Sequence, residues 1–199
     1  GACGAPVAQA APAAPSIDFG ALQTIDELAD VPMESFRSTD TRHFLMKSNW
    51  KTYTDNFIEG YHIPGIHPSF IKVIDFARFE TVARQGYVRM TAPQKDGSVY
   101  GGKWLWMWPN WTLSLFDGGM NVSRINPTSP HHTDQHYRFF FADTSAQGAE
   151  ARAKSVNGTL SVVREDYTVC AETHRNYAAG AYSPGPLSGR HEKGVQYFQ

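Results

Sequence analysis

The sequence predicts an α+β domain, with an antiparallel β-sheet in the middle of the chain and one long helix near its end. Between residues 87 and 141, short runs of β-forming residues alternate with clusters of Gly, Pro or Asp, a pattern typical of consecutive strands joined by turns. Residues 147–178 contain no proline and repeat apolar residues at helical spacing, which predicts a helix with one buried face. With 199 residues, 41% of them hydrophobic, the chain is long enough for one domain with its own core.

The N-terminal part of the chain differs in composition from the rest. Residues 1–16 are rich in Ala and Pro and carry no charge, so we expect a disordered tail there and a folded domain at residues 17–199. Thr24 offers an acceptable helix start, and short helices are expected up to Arg42. No Lys or Arg precedes Arg37 and no continuous apolar segment occurs before it. This argues against a secretory signal, and we expect a cytoplasmic protein.

Composition argues against several classes of partner. The formal net charge is −1, which disfavours binding to nucleic acid or to an anionic membrane. No apolar run approaches the length of a transmembrane span. Cys3 and Cys170 are far apart and give no disulfide framework. An aromatic content of 13% suits a globular protein built around a cavity.

The central part of the chain is predicted to form five strands. Asp117-Gly118-Gly119 predicts a tight hairpin turn between two of them. Trp104, Trp106 and Trp108 alternate along one strand, so they should share one face. That face either packs under the long helix or lines a substrate cavity, where indole rings hold an apolar or cationic group. The predicted strands are Tyr87–Thr91, Lys103–Trp108, Trp111–Phe116, Met120–Ile125 and His136–Phe141.

A group of three histidines follows the fourth predicted strand. His131, His132 and His136 lie just after Pro127 and Pro130, in a segment that also contains Thr and Asp. Such composition is typical of a solvent-exposed turn. An ordinary polar loop is therefore favoured over a second metal site.

Residues 49–68 are the most informative segment, with the sequence NWKTYTDNFIEGYHIPGIHP. His62 and His67 are five residues apart, and on a straight helix such residues point about 140° apart. Pro64 and Gly65 end any helix between them, which lets His67 turn back toward His62. Two neutral imidazoles on one side of a cation, with a carboxylate from elsewhere, form the facial arrangement that suits non-haem Fe(II). The alternative is a pair of hydrogen-bonding histidines in a loop.

A candidate carboxylate lies on the predicted long helix. Asp166 shares the apolar stripe of Val163 and Tyr167, so its side chain should face the interior. Burial of a carboxylate is costly unless the group is paired or bound to a metal. Pairing with Arg164 or with a buried tyrosine hydroxyl is the alternative to metal binding. Glu165, one residue away on a different helix face, is the main competitor for a ligand role.

These residues together resemble the catalytic domain of Rieske-type non-haem iron oxygenase α subunits, the ring-hydroxylating oxygenase family. The string Arg164-Glu165-Asp166 is similar to the family's ligand helix, with His174 where many members have glutamine; we expect the His174 side chain to face the interior near the site. The resemblance covers residues 35–199 and is greatest for members that act on quaternary or methylated amines. The motif that carries it consists of Asn49, Trp50, Lys51, Asn56, Phe57, Glu59, Tyr61, His62, His67 and Pro68.

The resemblance implies a helix-grip (START-like) fold, with the sheet wrapped around the long helix, and one Fe(2+) held by His62, His67 and Asp166. It also implies a homotrimer in which Glu59, three residues before the first histidine, bridges the iron to a Rieske cluster of the neighbouring subunit. Cysteine and histidine hold that cluster in Cys-x-His and Cys-x2-His pairs, and neither pair occurs in these 199 residues. We therefore expect electrons from a separate Rieske ferredoxin or reductase.

The predicted function is that of a mononuclear non-haem Fe(II) oxygenase catalytic unit. It would use O₂ for monooxygenation, demethylation or ring hydroxylation of a small-molecule substrate. Two alternatives come from other classes: a helix-grip module that binds a small apolar ligand, and a hydrolase that uses Zn²⁺ or Mn²⁺ at the same three residues. Metal analysis of the purified protein separates the three.

Overall fold

The computed structural model describes residues 25–95 and 102–199. It divides the chain into two compact units, Gly1–Ser35 and Phe36–Gln199. In the first unit, the described residues form two 3-10 turns, Asp26–Leu28 and Met33–Ser35. The predicted disordered tail at residues 1–16 and the domain boundary after it lie outside the described residues, so both stay predictions.

The second unit is built on a seven-stranded, fully antiparallel sheet in the order β1-β7-β6-β5-β4-β3-β2. The predicted α+β class is confirmed, and each of the five predicted strands is present. The two outermost strands, β1 and β2, were not predicted. The strands are β1 (Arg37–Met46), β2 (Glu80–Arg84), β3 (Tyr87–Ala92), β4 (Gly102–Met107), β5 (Trp111–Phe116), β6 (Gly119–Ser129) and β7 (His132–Phe141).

Short turns join β2 to β3, β4 to β5, β5 to β6 and β6 to β7. The predicted hairpin turn after β5 is confirmed, since Phe116 pairs with Gly119 across it. Gly118 has a φ of 71°, a left-handed conformation that glycine adopts without a steric cost. Gly86, between β2 and β3, has a φ of 85° for the same reason. The segment of residues 47–79 breaks this pattern, because it connects β1 and β2 at opposite edges of the sheet.

Within residues 25–95 and 102–199, four α-helices accompany the sheet: α1 (Trp50–Phe57), α2 (Ile63–Ile66), α3 (Ala149–Ala178) and α4 (Lys193–Phe198). Asn49 caps α1, because its side chain accepts a hydrogen bond from the backbone N–H of Lys51 at 2.9 Å. The long helix predicted at residues 147–178 is confirmed as α3. No helix among the described residues is long and apolar enough to cross a membrane.

The long helix α3 packs its apolar stripe on the sheet. Val156, Leu160 and Val163 share a buried cluster with Tyr137 and Phe139 of β7. A second cluster joins α1, through Tyr53, to Trp106 of β4 and Cys170 of α3. Burying these apolar surfaces is the main favourable contribution to folding. It also fixes α1 and α3 against the same face of the sheet, so that residues of the 49–68 segment and of α3 can meet.

Candidate metal centre

The turn of helix α2 brings the two histidines of the motif together. Helix α1 has already ended at Phe57, and α2 begins after His62 and ends before His67. Pro64 stands in the first turn of α2, where no backbone N–H is needed for an intrahelical bond. It therefore starts a helical turn, whereas the sequence suggested that it ends one. The Nε2 atoms of His62 and His67 lie 3.1 Å apart.

Helix α3 contributes the third member of this group. Asp166 is buried, and its Oδ1 lies 3.0 Å from Nε2 of His67 and 3.4 Å from Nε2 of His62. At metal–ligand bond lengths of about 2.1 Å, neighbouring ligand atoms lie about 3.0 Å apart in an octahedron and about 3.4 Å apart in a tetrahedron. The three atoms therefore have the separations of ligands around one small divalent cation.

Two glutamates hold the outer nitrogens of these histidines. The Nδ1 atom of His62 contacts Oε1 of Glu59, and Nδ1 of His67 contacts Oε2 of Glu165 at 2.7 Å. Each contact favours the tautomer with a proton on Nδ1, which leaves the lone pair of Nε2 free to bind a metal. Glu165 thus lies on the outer side of His67, whereas Asp166 reaches the point where the Nε2 atoms meet.

Asn56 fixes the carboxylate of Asp166 from the motif side. Its Nδ2 donates a hydrogen bond of 2.8 Å to Oδ1 of Asp166. The sequence marked Asn56 as part of the motif but assigned it no role. Asp166 is 110 residues away along the chain. The role of Asn56 therefore becomes visible only in the folded structure, where its side chain lies beside the buried carboxylate.

The carboxylates of the centre favour positive charge on the two histidines, as the shifts in pKa show. Burial lowers the pKa of His62, but hydrogen bonds to Asp166 and Glu59 outweigh it and raise the pKa to about 9. The pKa of His67 is raised for the same reason, with Asp166 and Glu165 opposing the effect of burial. Burial raises the pKa of Asp166, but the two histidines outweigh it and lower that pKa. A cation that needs neutral imidazoles must therefore displace protons when it binds.

A cavity of about 620 Å³ opens onto this centre. His62, His67 and Asp166 form part of its wall, and most of the rest is apolar. Its volume falls in the range of small-molecule sites in proteins. The aromatic residues of its wall include Phe57, Phe70, Phe79, Trp104, Phe116 and Tyr137.

The three alternating tryptophans have three different environments. Trp104 lines the cavity, where its ring lies 5.6 Å from that of Phe70. Trp106 is fully buried and packs against Phe198 in the core. Trp108 lies beyond the end of β4 and is 60% exposed. The ring of Trp108 still lies 5.9 Å from that of Trp106 and 6.2 Å from that of Phe198, so it packs beside Trp106. Of the three indoles, only Trp104 lines the cavity.

The second histidine group does not form a single loop. His131 lies in the turn between β6 and β7, whereas His132 and His136 belong to β7. His136 lies close to Asp134 and to His43 of β1, and these three side chains are near enough to share a cation. His174 contacts His131 at 3.0 Å and does not line the cavity, so the expectation that it faces the interior near the site is wrong.

Glu59 lies at the boundary between the centre and the surface. Besides His62 Nδ1, it accepts hydrogen bonds from the backbone N–H groups of Tyr61 and His62. These contacts hold it in place after α1 has ended, so it is not an exposed residue of the motif helix. The neighbouring Tyr61 is 67% exposed. A group docked on this surface would therefore approach Glu59 and, through it, His62.

Comparison with known proteins places these features in a family. Residues 26–101 and 79–199 match the family described as "Ring hydroxylating alpha subunit (catalytic domain)". Choline monooxygenase of Amaranthus tricolor is 22% identical in a 172-residue alignment that covers 82% of this chain and 39% of that protein. The carnitine monooxygenase oxygenase subunit of Acinetobacter pittii is 25% identical in a 172-residue alignment that covers 76% of this chain and 46% of that protein.

Solved structures share the fold at low sequence identity. A quaternary ammonium Rieske monooxygenase in complex with gamma-butyrobetaine has a TM-score of 0.69 and 19% identity, over 94% of this chain and 54% of that one. Dicamba monooxygenase bound to dicamba has a TM-score of 0.64 and 15% identity, over 90% of this chain and 60% of that one. The chain thus spans between 39% and 60% of the length of these four proteins.

Proposed function

The chain belongs to the family of ring-hydroxylating oxygenase α-subunit catalytic domains, and from this premise we propose that it is the catalytic unit of a mononuclear non-haem Fe(II) oxygenase. The observation that carries the proposal is the meeting of three candidate ligand atoms at 3.0–3.4 Å on the wall of a mostly apolar cavity. Two imidazoles and one carboxylate are the ligand set of non-haem Fe(II) oxygenases.

In this proposal His62, His67 and Asp166 hold the iron, and Fe(II) supplies the redox chemistry that activates O₂. The protein keeps each ligand in one orientation. Glu59 and Glu165 hold the protons of the imidazoles on Nδ1. Such outer contacts raise the basicity of the ligating nitrogens and fix the rings.

The cavity supports a small amphipathic substrate. Phe70, Phe79 and Trp104 form an aromatic wall, with ring centroids 5.6 Å apart between Phe70 and Trp104 and 6.4 Å apart between Phe79 and Trp104. Aromatic faces attract quaternary ammonium groups through cation–π interactions. Choline and carnitine monooxygenases are among the relatives, so we favour a methylated ammonium compound, with monooxygenation or demethylation beside the iron.

Electrons are proposed to arrive at the surface beside Glu59. Two electrons besides those of the substrate are needed when one oxygen atom of O₂ enters the product and the other leaves as water. In this proposal a Rieske cluster outside these 199 residues docks near Tyr61, in a homotrimer or on a separate ferredoxin. Glu59 then connects that cluster to His62, whose Nδ1 it contacts.

Iron content tests the metal site. The chain is stripped with a chelator, reloaded with Fe(II) under argon, desalted and analysed by plasma mass spectrometry. We expect one iron per chain, and almost none after His62→Ala, His67→Ala or Asp166→Ala, because each change removes one of three ligands. Glu172→Ala is the matched control, since Glu172 lies on α3 and its side chain is 59% exposed.

The same measurement, repeated with Zn²⁺ in place of Fe(II), distinguishes the alternatives. Full iron content in the three ligand variants would contradict the site. Uptake of Zn²⁺ but not Fe(II) would favour the hydrolase, and the absence of any bound metal would favour the binding module. Substrate-dependent O₂ consumption with choline, a Rieske protein and its reductase then tests the reaction itself.

A further inference from the structure

Asn121 is a buried amide whose side chain lacks a hydrogen-bond partner. It lies on β6 and is 1% exposed, and neither Nδ2 nor Oδ1 has a partner among the described residues. A buried polar group without a partner destabilises a protein by about 1–3 kcal/mol. Such groups are rare in native proteins, and each one needs an explanation.

The sheet register places Asn121 on the wall of the cavity. Asn121 is directly opposite Ser114 of β5, and Ser114 is directly opposite Trp104 of β4. Directly opposed residues of an antiparallel sheet point to the same face. All three residues line the cavity that His62 and Asp166 also line. The backbones of Asn121 and Trp104 are therefore two strands apart, about 10 Å at the usual strand spacing.

We propose that Asn121 is a substrate-recognition residue, whose side-chain amide binds a hydroxyl or amide group of the small molecule held in this cavity. This inference rests on the proposed small-molecule site and adds to it the residue that binds the polar end of the substrate. Trp104 contacts the apolar or cationic part, and Asn121 binds the part that both donates and accepts hydrogen bonds.

The chemistry of the amide selects the class of group. Nδ2 offers two N–H donors and Oδ1 offers an acceptor, and all of them lack a protein partner here. A hydroxyl or an amide satisfies both atoms, because it accepts from Nδ2 and donates to Oδ1. A carboxylate only accepts, and a quaternary ammonium group does neither. Sites built to bind a hydroxyl discriminate strongly against analogues that lack it, because their own polar groups are then left unpaired.

Two matched pairs of probes test this inference in the Fe(II)-loaded full chain under argon. The first pair is choline and propyltrimethylammonium, in which a methyl group replaces the hydroxyl. The second pair, benzyl alcohol and ethylbenzene, differs in the same way but carries no charge. Calorimetry gives the dissociation constants for the unchanged chain, for Asn121→Leu and for Asn126→Leu. Asn126 is the control, because it is also on β6 but five residues away, where the strand presents its other face.

We expect the preference for the hydroxyl-bearing member of at least one pair to fall by about 10-fold in Asn121→Leu and to persist in Asn126→Leu. Preference in the uncharged pair alone would support the role of Asn121 and contradict the ammonium substrate class. Tight binding of both ammonium probes, with no effect of Asn121→Leu on their ratio, would support that class and overturn the role of Asn121. Absence of binding by all four probes would overturn it as well.

Thermal unfolding without ligand gives a second, independent readout. Leucine has the same branched shape as asparagine, with methyl groups in place of the two polar atoms, and needs no hydrogen bond, so Asn121→Leu should unfold at a higher temperature than the unchanged chain. A gain of about 1 kcal/mol corresponds to about 2–4 °C for a domain of this size. A lower midpoint would mean that the amide stabilises the fold and would overturn the inference. If Asn121→Leu does not fold, the smaller Asn121→Ala replaces it in the binding measurements.

Discussion

If His62, His67 and Asp166 hold the iron as proposed, replacing Glu165 by alanine should weaken Fe(II) binding without abolishing it, because this carboxylate contacts the outer nitrogen of His67 and does not reach the centre. Its Oε2 lies 2.7 Å from Nδ1 of His67, and its side chain is 32% exposed, against 2% for His67. Loss of such an outer contact costs about 10–100-fold in metal affinity. Because water can reach the exposed side and replace part of the contact, we expect a loss of about 10-fold, or about 1.4 kcal/mol.

Asp166→Ala is the natural comparison, since the two carboxylates are adjacent on α3. Asp166 Oδ1 lies 3.0 Å from Nε2 of His67 and 3.4 Å from Nε2 of His62. Alanine there removes one of three converging ligand atoms. The expected loss of affinity therefore exceeds the upper end of the outer-contact range, about 100-fold.

An anaerobic Fe(II) titration against a coloured chelator measures both affinities, with circular dichroism to verify the fold of each variant. Glu172→Ala, on the exposed side of α3, should titrate like the unchanged chain. If Glu165→Ala abolished binding while Asp166→Ala retained it, the assignment of the two carboxylates would be reversed. Unchanged affinity in Glu165→Ala would show that His67 needs no help in keeping its orientation.

Three further predictions concern the electron route, the pH dependence and the packing of α4. Glu59→Gln should slow turnover driven by a Rieske protein and largely spare turnover driven by hydrogen peroxide; equal rates for Glu59→Gln by the two routes would contradict the bridging role. Burial raises the pKa of Asp55 to about 6, so the folded state loses stability as the pH rises from about 4 to 6. After allowance for partial exposure, Asp55→Asn should gain about 1–2 kcal/mol at pH 8 and nothing at pH 4 in urea unfolding; a gain independent of pH would exclude this cause. A Cβ on Gly194 would lie 2.3 Å from the carbonyl oxygen of Ile58, so Gly194→Ala should cost about 1–3 kcal/mol of stability. Gly189→Ala, where nothing lies within 4 Å, should not.

Local pattern was sufficient for the elements that bury a regular face. The apolar stripe of α3 predicted a helix that the structure places at Ala149–Ala178, because side chains three or four residues apart on a helix share one face. The hairpin turn at Gly118 was predicted for a similar reason, since few residues adopt its backbone conformation. In both cases the physical cause lies within a few residues of the chain.

The edge strands β1 and β2 could not be predicted in this way. In β1, exposed and partly buried residues alternate with little apolar signal, and β2 has five residues of which only Thr81 is buried. Each is a strand because a neighbour offers it hydrogen bonds, β7 for β1 and β3 for β2. An edge strand pairs on one side only and needs few apolar residues, so its sequence carries a weak signal.

By itself, the sequence determined which residues are candidates for the metal centre. The sequence alone shows the spacing of His62 and His67, and it predicts that Asp166 lies on the buried stripe of a helix. Only the tertiary structure decided what each neighbour does. Glu165 is 98 residues from His67, and Asn56 is 110 residues from Asp166. The rotation of α3 about its axis determines which carboxylate lies beside the Nε2 atoms of both histidines. That rotation results from side-chain packing over the whole core.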